Sequence, residues 1–493
     1  MKYLDPMTDV LLLSLPYFDR RFHVHKEMQS GIGYKKLRIG NLEENIKLYP
    51  ICDLLYAASI LKKNKINFHV DDDQFFESRN FEEYFSRLSA SCSNPKVVII
   101  RTSIGTLVSD LEITQHLKKK WPLAKIYSYG PVFSSKDVLS FIKNELIYDG
   151  IIQSEIESVI LDILKNKKRI PGFHERKNDH YINENSEVKY AVMENLPPPA
   201  YEMVNYKALD LLIIQTQRGC PVGCSYCPYF LSQKNKFRAK TPKTVIKEIQ
   251  YLLERFRIRN FVIHDPILSL DKKRLIEICE LLISKKIKIS WECETHLNHI
   301  DTSLLALMRK AGCSKMAMGI ESANAEVLKT VNRRFKDWGK AKEIIDFCKK
   351  IGIKTRGYFI LGLPNDDIKG AYMSIELAKH LDLDEANFNL PIPIPNTDPY
   401  NMGVQSNLID LELKDRNPRL FFDSLSKHNW DYDYSLSEKI SKKQLQYLFR
   451  VANHTFNLHK QKKGFLNINN FKVLIYKFFI FLEGFSNPIL KFK

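Results

Sequence analysis

No run of about 18 consecutive apolar residues, the length a helix needs to cross a bilayer, occurs in this chain. No membrane span is therefore expected. The opening residues, Met1-Lys2-Tyr3-Leu4-Asp5-Pro6, bring an acid and a proline ahead of a short apolar stretch. They lack the basic start and small-residue cleavage site of a secretory leader. Nine cysteines, three of them in one loop, do not make an extracellular disulfide framework. No second cysteine pair follows that loop at a distance that would close a four-ligand structural zinc site. These absences point to a reducing, cytoplasmic setting. The net charge of +18 favours anionic partners, but the lysines behind it are dispersed rather than striped. No nucleic-acid partner is expected, and an RNA-modifying or RNA-binding protein is the alternative that the charge would suit.

What the chain does have is length for two or three domains and the 44% apolar, 27% charged composition of a globular protein. Its most informative stretch is Arg218-Gly219-Cys220-Pro221-Val222-Gly223-Cys224-Ser225-Tyr226-Cys227-Pro228, with thiols spaced Cys-x3-Cys-x2-Cys. Gly219 and Gly223 permit backbone angles that other residues resist, so the loop can wrap its sulfurs around one inorganic centre. Iron–sulfur clusters are usually held by four thiolates. A loop that offers three leaves one iron free to bind something else. The apolar run Leu211-Leu212-Ile213-Ile214 reads as a buried strand, and a helical pattern follows from Thr244. The cysteines thus fall on a strand-to-helix loop, where α/β barrels place their chemistry.

This spacing, with aromatic Tyr226 before the last cysteine, resembles the signature of the radical S-adenosylmethionine (SAM) enzymes. The resemblance implies that Cys220, Cys224 and Cys227 hold a 4Fe–4S cluster and that SAM chelates the fourth iron through its amino and carboxylate groups. It implies reductive cleavage of SAM to a 5′-deoxyadenosyl radical. An external electron donor such as a flavodoxin or ferredoxin would then be a partner.

Residues 1–168 alternate strand patterns (Val10 to Leu15, Phe68 to Val70, Val97 to Ile100, Lys125 to Tyr129, Ile151-Ile152) with helical ones (51–63, 107–120, 156–164). Such alternation implies a Rossmann-like parallel sheet covered on both faces, with ligands beyond the carboxyl ends of its strands. Tyr49-Pro50, Asp71-Asp72-Asp73, Arg101-Thr102-Ser103 with Asp110, Tyr129-Gly130-Pro131 and Asp149-Gly150-Ile151-Ile152 follow one another in the order of the cobalamin-binding domains fused to many radical SAM enzymes. That resemblance implies Thr102, Ser103, Gly130 and Pro131 as cobalamin contacts. Gln153-Ser154 stands where those domains usually have Gly-Glu, and Tyr129 where they usually have glycine. A domain of the same fold without the cofactor is the alternative. No Asp-x-His-x-x-Gly run occurs, so no histidine of this chain is expected on cobalt.

Residues 169–204, polar and then proline-rich at Leu196-Pro197-Pro198-Pro199, read as a linker. Over 205–400 the alternation resumes with six strands, too few for a closed eightfold barrel. They match the open (β/α)6 partial TIM barrel of radical SAM enzymes. Substrate and cofactor belong at the carboxyl ends of such strands. By resemblance, Asp265 and Glu294 would hold the amino group and ribose of SAM, Glu321 and Ser322 its ribose or carboxylate, and Ile360 and Gly362 would lie beside the adenine. A carboxylate suits an ammonium or ribose hydroxyls because charge-assisted hydrogen bonds are the stronger kind. The alternative for each is a helix cap.

Cys279, Cys313 and Cys348 read as core thiols. Cys293 sits at a strand end near the site, and His264, His296 and His299 lie near its mouth without metal-ligand spacing; for His296 a polar surface position is expected. Residues 401–493 form a helical pattern, with Phe471 to Leu482 apolar, interrupted by Lys472 and Lys477, and suited to packing on the barrel or to a peripheral lipid contact. The whole reads as an α/β chain: a Rossmann-like cobalamin domain, an open six-stranded barrel and a helical C-terminal domain. The implied activity is a cobalamin-dependent methyltransferase acting on an unactivated carbon of a small molecule, lipid or natural-product intermediate. A radical SAM cyclase or rearrangement enzyme is the alternative.

Overall fold

The computed structural model describes residues 9–16, 38, 39, 42, 43, 50–76, 78, 80–227, 229, 233, 235–333, 335, 337–426 and 434–463. The apolar stretch Phe471 to Leu482 lies outside them, as do Tyr49 and Pro228. Among the described residues no helix is long and apolar enough to cross a membrane.

The first sheet is centred on β1 (Val10–Ser14), all five residues of which are buried. A strand enclosed on both faces is apolar throughout rather than alternating, as Val-Leu-Leu-Leu is. Parallel to it run β2 (Phe68–Asp72) on one side and β3 (Val97–Arg101), β4 (Lys125–Tyr129) and β5 (Gly150–Ile152) on the other. The connecting helices are α1 (Cys52–Lys63), α2 (Phe81–Ser91), α3 (Leu107–Lys120), α4 (Lys136–Glu145) and α5 (Ile156–Leu164). Leu11 and Leu13 pack in one core with Leu88, Leu111 and Ile142; Val10 and Leu12 pack in another with Leu54, Leu61 and Ile160. The sheet is therefore covered on both faces, as expected.

It is not purely parallel. Part of the stretch read as a linker forms β6 (Phe173–Lys177) and β7 (His180–Ile182), which extend the sheet antiparallel in the order β2-β1-β3-β4-β5-β6-β7. The stretch is too polar to announce a strand: His174 is buried and Phe173 packs edge-to-face on Tyr127, but Glu175 and Lys177 face solvent. Its pairing is imposed by the open edge of β5, which would otherwise leave unpaired backbone groups.

The second sheet is all parallel and in sequence order: β8 (Leu212–Ile214), β9 (Asn260–Ile263), β10 (Ser290–Thr295), β11 (Cys313–Glu321), β12 (Lys354–Ile360) and β13 (Glu385–Asn389). No described pairing closes β13 onto β8, so the barrel is open. Outside it lie α6 (Pro242–Phe256), α7 (Lys272–Ser284), α8 (Thr302–Lys310), α9 (Ala325–Thr330), α10 (Trp338–Ile351) and α11 (Ile368–His380). The edge strand β8 is pinned by Tyr201, whose hydroxyl donates to the Ile213 carbonyl at 2.7 Å and accepts from the Ile213 N–H at 2.5 Å.

Helices α12 (Asp398–Gln405), α13 (Leu411–Arg416), α14 (Pro418–Ser426) and α15 (Lys442–Lys463) follow. Phe422 of α14 stacks on Phe141 of α4 with centroids 4.4 Å apart, and Arg419 pairs with Glu145. Leu445 of α15 packs over Gly362. The terminal helices therefore tie the first sheet to the far side of the second.

Candidate functional site

The cysteine loop leaves β8 and begins with Gln217-Arg218, which pair antiparallel with Arg238-Ala239 and so fix both ends of the excursion. Gly219 has φ +84°, and a Cβ there would lie 2.1 Å from the Lys236 carbonyl oxygen. Only glycine permits both the turn and the close approach. Gly223 has φ +70°, and its carbonyl accepts from the Asn332 side chain at 2.9 Å. Cys224 is buried, and Cys220 and Cys227 are half-buried.

Among the described residues no three His, Cys, Asp or Glu side chains stand close enough to hold a single metal ion. A structural zinc draws its thiolates onto one point. In a cluster each thiolate binds a different iron, so the sulfurs stand apart. The donor set, three thiols on one glycine-hinged loop, suits a cluster.

Arg333, which no spacing in the sequence marks, is the principal addition. Its Nη1 donates to Cys224 Sγ at 3.6 Å, its Nη2 donates to the Gly319 carbonyl, and Glu321 lies 3.9 Å away. Burial works against its charge, but Tyr226, Glu321 and Cys224 hold the guanidinium above its ordinary range. Gly319 makes the approach possible, because a Cβ there would meet Glu321 Oε1 at 2.2 Å and Arg333 Nη2 at 2.8 Å. Glu321 itself has φ +68° at a register shift in β11. Strain of this kind collects at functional sites. Burial pushes the Glu321 carboxyl up, and Arg333 opposes it. Tyr226 and Ile360 close one side against Val327, Val331 and Leu363, an apolar wall beside the loop.

Glu294, half-buried at the carboxyl end of β10, accepts from the Tyr358 hydroxyl at 3.3 Å. Burial raises its carboxyl to about 7, against the Tyr358 hydrogen bond and the charge of Arg356. Folded Glu294 thus keeps its proton where the unfolded side chain, with a pKa of about 4.3, has lost it. The folded state binds more protons in that window, so this group's contribution to stability falls as pH rises from about 4.5 to about 7. Thermal midpoints measured across that range should decline less in Glu294→Gln than in the wild type.

Three of the expected SAM contacts already have partners within the protein. Asp265 is fully buried, and its carboxylate accepts from the Thr216 and Gln217 N–H groups at 2.7 and 3.0 Å and from the Thr216 hydroxyl. It holds the base of the cysteine loop. Ser322 is also fully buried; its hydroxyl accepts from the Asn324 N–H at 3.1 Å and so holds the turn before α9, which Asn324 caps. Gly362 donates its N–H to Asp366 and lies beneath Leu445. His296 is not at the surface: it is 2% exposed, and its Nδ1 accepts from the Asn298 N–H at 3.1 Å. Cys293 alternates with Glu294 on β10 and packs in the same core as Cys279, Cys313 and Cys348.

The carboxyl edge of the first sheet faces the loop. Thr102 is buried, with its hydroxyl 2.9 Å from that of Ser128. Ser103 bonds to Thr106 behind it. Gly130 passes so close to Thr102 that a Cβ would lie 2.0 Å from the Thr102 carbonyl oxygen. Gly130 and Pro131, but not Thr102 or Ser103, line a cavity together with Gln153, Glu157, Arg218, Tyr229, Gln233 and His264. Gln153 crosses the sheet end, donating to the Phe133 carbonyl at 2.8 Å and meeting His174 Nε2 at 2.6 Å.

Buried ion pairs clamp the two walls of this cavity together. Arg218, the residue before the loop, pairs with Glu157 of α5 at 2.6 Å and with Glu155 at 3.2 Å. Arg238 also reaches Glu155, at 2.8 Å. Tyr56 of α1 and Lys240 both bond to Glu248 of α6. Sequence reading missed this network because charge pairs between distant segments carry no spacing signature.

Residues 214–378 match the radical SAM superfamily. An uncharacterized methyltransferase, PH0819 of Pyrococcus horikoshii, is 26% identical over 272 residues, covering 53% of this chain and 59% of that protein. Anaerobic magnesium-protoporphyrin IX monomethyl ester cyclase of Rubrivivax gelatinosus is 31% identical over 198 residues, covering 40% of this chain and 35% of that protein. The chain thus spans less than two thirds of either relative. The fold is similar to that of the radical SAM methyltransferase TsrM from Kitasatospora setae, solved with cobalamin and a [4Fe-4S] cluster bound. The TM-score is 0.59 at 14% identity, covering 78% of this chain and 75% of that one.

Proposed function

From the premise that residues 214–378 form a radical SAM domain, we propose that the chain is a cobalamin-dependent radical SAM methyltransferase. It acts on an unactivated carbon of a small molecule or lipid. The observation that carries the proposal is that residues flanking the cysteine loop (Arg218, Tyr229, Gln233) and the carboxyl edge of the first sheet (Gly130, Pro131, Gln153) line one cavity. In α/β sheets ligands bind at that edge.

Cys220, Cys224 and Cys227 would hold a 4Fe–4S cluster, and the sheet edge at Gly130-Pro131 would hold cobalamin, where the backbone presents no side chain from Gly130. When bound, the cluster would supply the electron for reductive cleavage of SAM, and cobalamin would supply a methyl carrier. The protein's part is to bind, orient and keep water out. Arg333 sets a buried cation beside Cys224, suited to the carboxylate of SAM. Glu321 and Glu294 offer carboxylates for its ammonium and ribose hydroxyls. Tyr226, Ile360, Val327, Val331 and Leu363 exclude solvent from the same side.

The test uses anaerobically reconstituted protein given SAM with an isotopically labelled methyl group and a pool of small-molecule and lipid extracts. Formation of 5′-deoxyadenosine together with a labelled product is expected. Formation of 5′-deoxyadenosine without any labelled product would sink the methylation reading. It would favour a cyclase or rearrangement, the second reading, which the 31% identity to a cyclase supports.

A further inference from the structure

Two residues that line the cavity between the sheets each keep a buried polar atom that makes no hydrogen bond among the described residues. The atoms are Nδ1 of His264 and Oε2 of Glu157. His264 stands at the carboxyl end of β9 and is 5% exposed. Its Nε2 lies 3.3 Å from the Tyr229 hydroxyl, which orients the ring. Burial, with the charge of Arg218, pulls its pKa down to about 4, so the imidazole is neutral near pH 7. Glu157, on the opposite wall, gives Oε1 to Arg218 at 2.6 Å and leaves Oε2 unused. Buried groups of this kind are rarely left unsatisfied, and an unpaired one calls for a partner not yet counted.

A neutral histidine ring has one N–H and one lone pair. If Tyr229 donates to Nε2, Nδ1 carries the proton and needs an acceptor; in the other tautomer Nδ1 needs a donor. Glu157 Oε2 needs a donor. A primary carboxamide meets all three demands, because its oxygen accepts and its NH2 donates twice. A carboxylate or phosphate does not, since it has no donor for Glu157 and would bring a second negative charge beside it.

We propose that His264 and Glu157 bind peripheral carboxamide groups of the corrin ligand, His264 from the barrel wall and Glu157 from the first sheet. This rests on the cobalamin reading above. It makes His264 a binding residue on the side of the cavity that the cysteine loop occupies.

The probe is hydroxocobalamin, titrated anaerobically into cluster-loaded full-length protein and followed by quenching of intrinsic fluorescence, with iron content measured to confirm that the fold and cluster survive. His264→Phe keeps the ring shape and removes both nitrogens; it should bind about tenfold more weakly, the effect of one buried hydrogen bond. His264→Gln restores a donor and an acceptor and should recover most of the affinity. If wild type binds hydroxocobalamin and His264→Phe binds it equally well, the inference is overturned and the cobalamin reading stands. If wild type binds none, both fall. Nitrogen hyperfine structure in the electron paramagnetic spectrum of the cob(II)alamin form, lost in His264→Phe, would overturn the carboxamide contact in favour of direct ligation of cobalt.

Discussion

Replacing Cys220, Cys224 and Cys227 together by alanine should reduce bound iron from about four atoms per chain to almost none. It should also abolish visible cluster absorbance and bring 5′-deoxyadenosine formation to background. The expectation rests on the loop carrying the whole protein donor set. The remaining six cysteines are all buried: Cys279, Cys293, Cys313 and Cys348 in one core, Cys92 in the same large core and Cys52 against Ile213. None of these can substitute. Burial raises the thiols of Cys279 and Cys348 to about 12, which disfavours the thiolate that binds iron. The loop backbone is held by Gly219, Gly223 and the Gln217–Arg218 pairing with Arg238-Ala239, none of which needs the sulfurs, so the variant should stay folded. Iron retained by a folded triple variant would show that the loop has been misassigned.

Arg218→Leu should be the most destabilising single substitution at the junction of the two sheets, costing about 3–5 kcal/mol. Arg218 is 3% exposed and Glu157 8%, so the substitution strands a carboxylate in a dry setting rather than merely removing a contact. Glu155 keeps Arg238, but Glu157 loses its ion-pair partner among the described residues. Surface pairs such as Lys272–Asp301 should cost about 0–1 kcal/mol by comparison. Adding Glu157→Leu to Arg218→Leu should restore a large part of the loss, because the pair is then replaced by apolar groups rather than broken. The readout is the first cooperative transition in chemical denaturation, since a chain of this size need not unfold in one step. Arg218 adjoins Gly219-Cys220, so iron loading should fall in the single variant as well. An unchanged midpoint in Arg218→Leu would mean that the buried pair does not couple the loop to the first sheet.

The cysteine loop was legible in sequence because its chemistry is local: spacing, glycines and one aromatic residue all lie within a single turn of chain. The strand and helix order was legible for the same reason. Val10 to Ser14 and Leu212 to Ile214 are apolar runs. The strands at Phe173 to Ile182 were not legible because their pairing depends on a free sheet edge contributed by β5, outside the stretch itself. Asp265 and Ser322 were placed at the right strand ends, but sequence cannot say which way a carboxylate or hydroxyl turns. The nearby Thr216–Gln217 backbone and the Asn324 N–H captured them first.

By itself the sequence determined what is periodic or contiguous: two strand–helix units, a thiol loop between a strand and a helix, and a glycine at the turn after β4. Tertiary structure decided what depends on meeting across distance. It placed Arg333 on Cys224, 109 residues away, closed Arg218 on Glu157, 61 residues away, and turned His264 toward a cavity whose other wall is more than a hundred residues earlier. The physical reason is that a buried charge or an unpaired buried nitrogen is defined by its surroundings. Those surroundings exist only once the two sheets have packed and water has been excluded from between them.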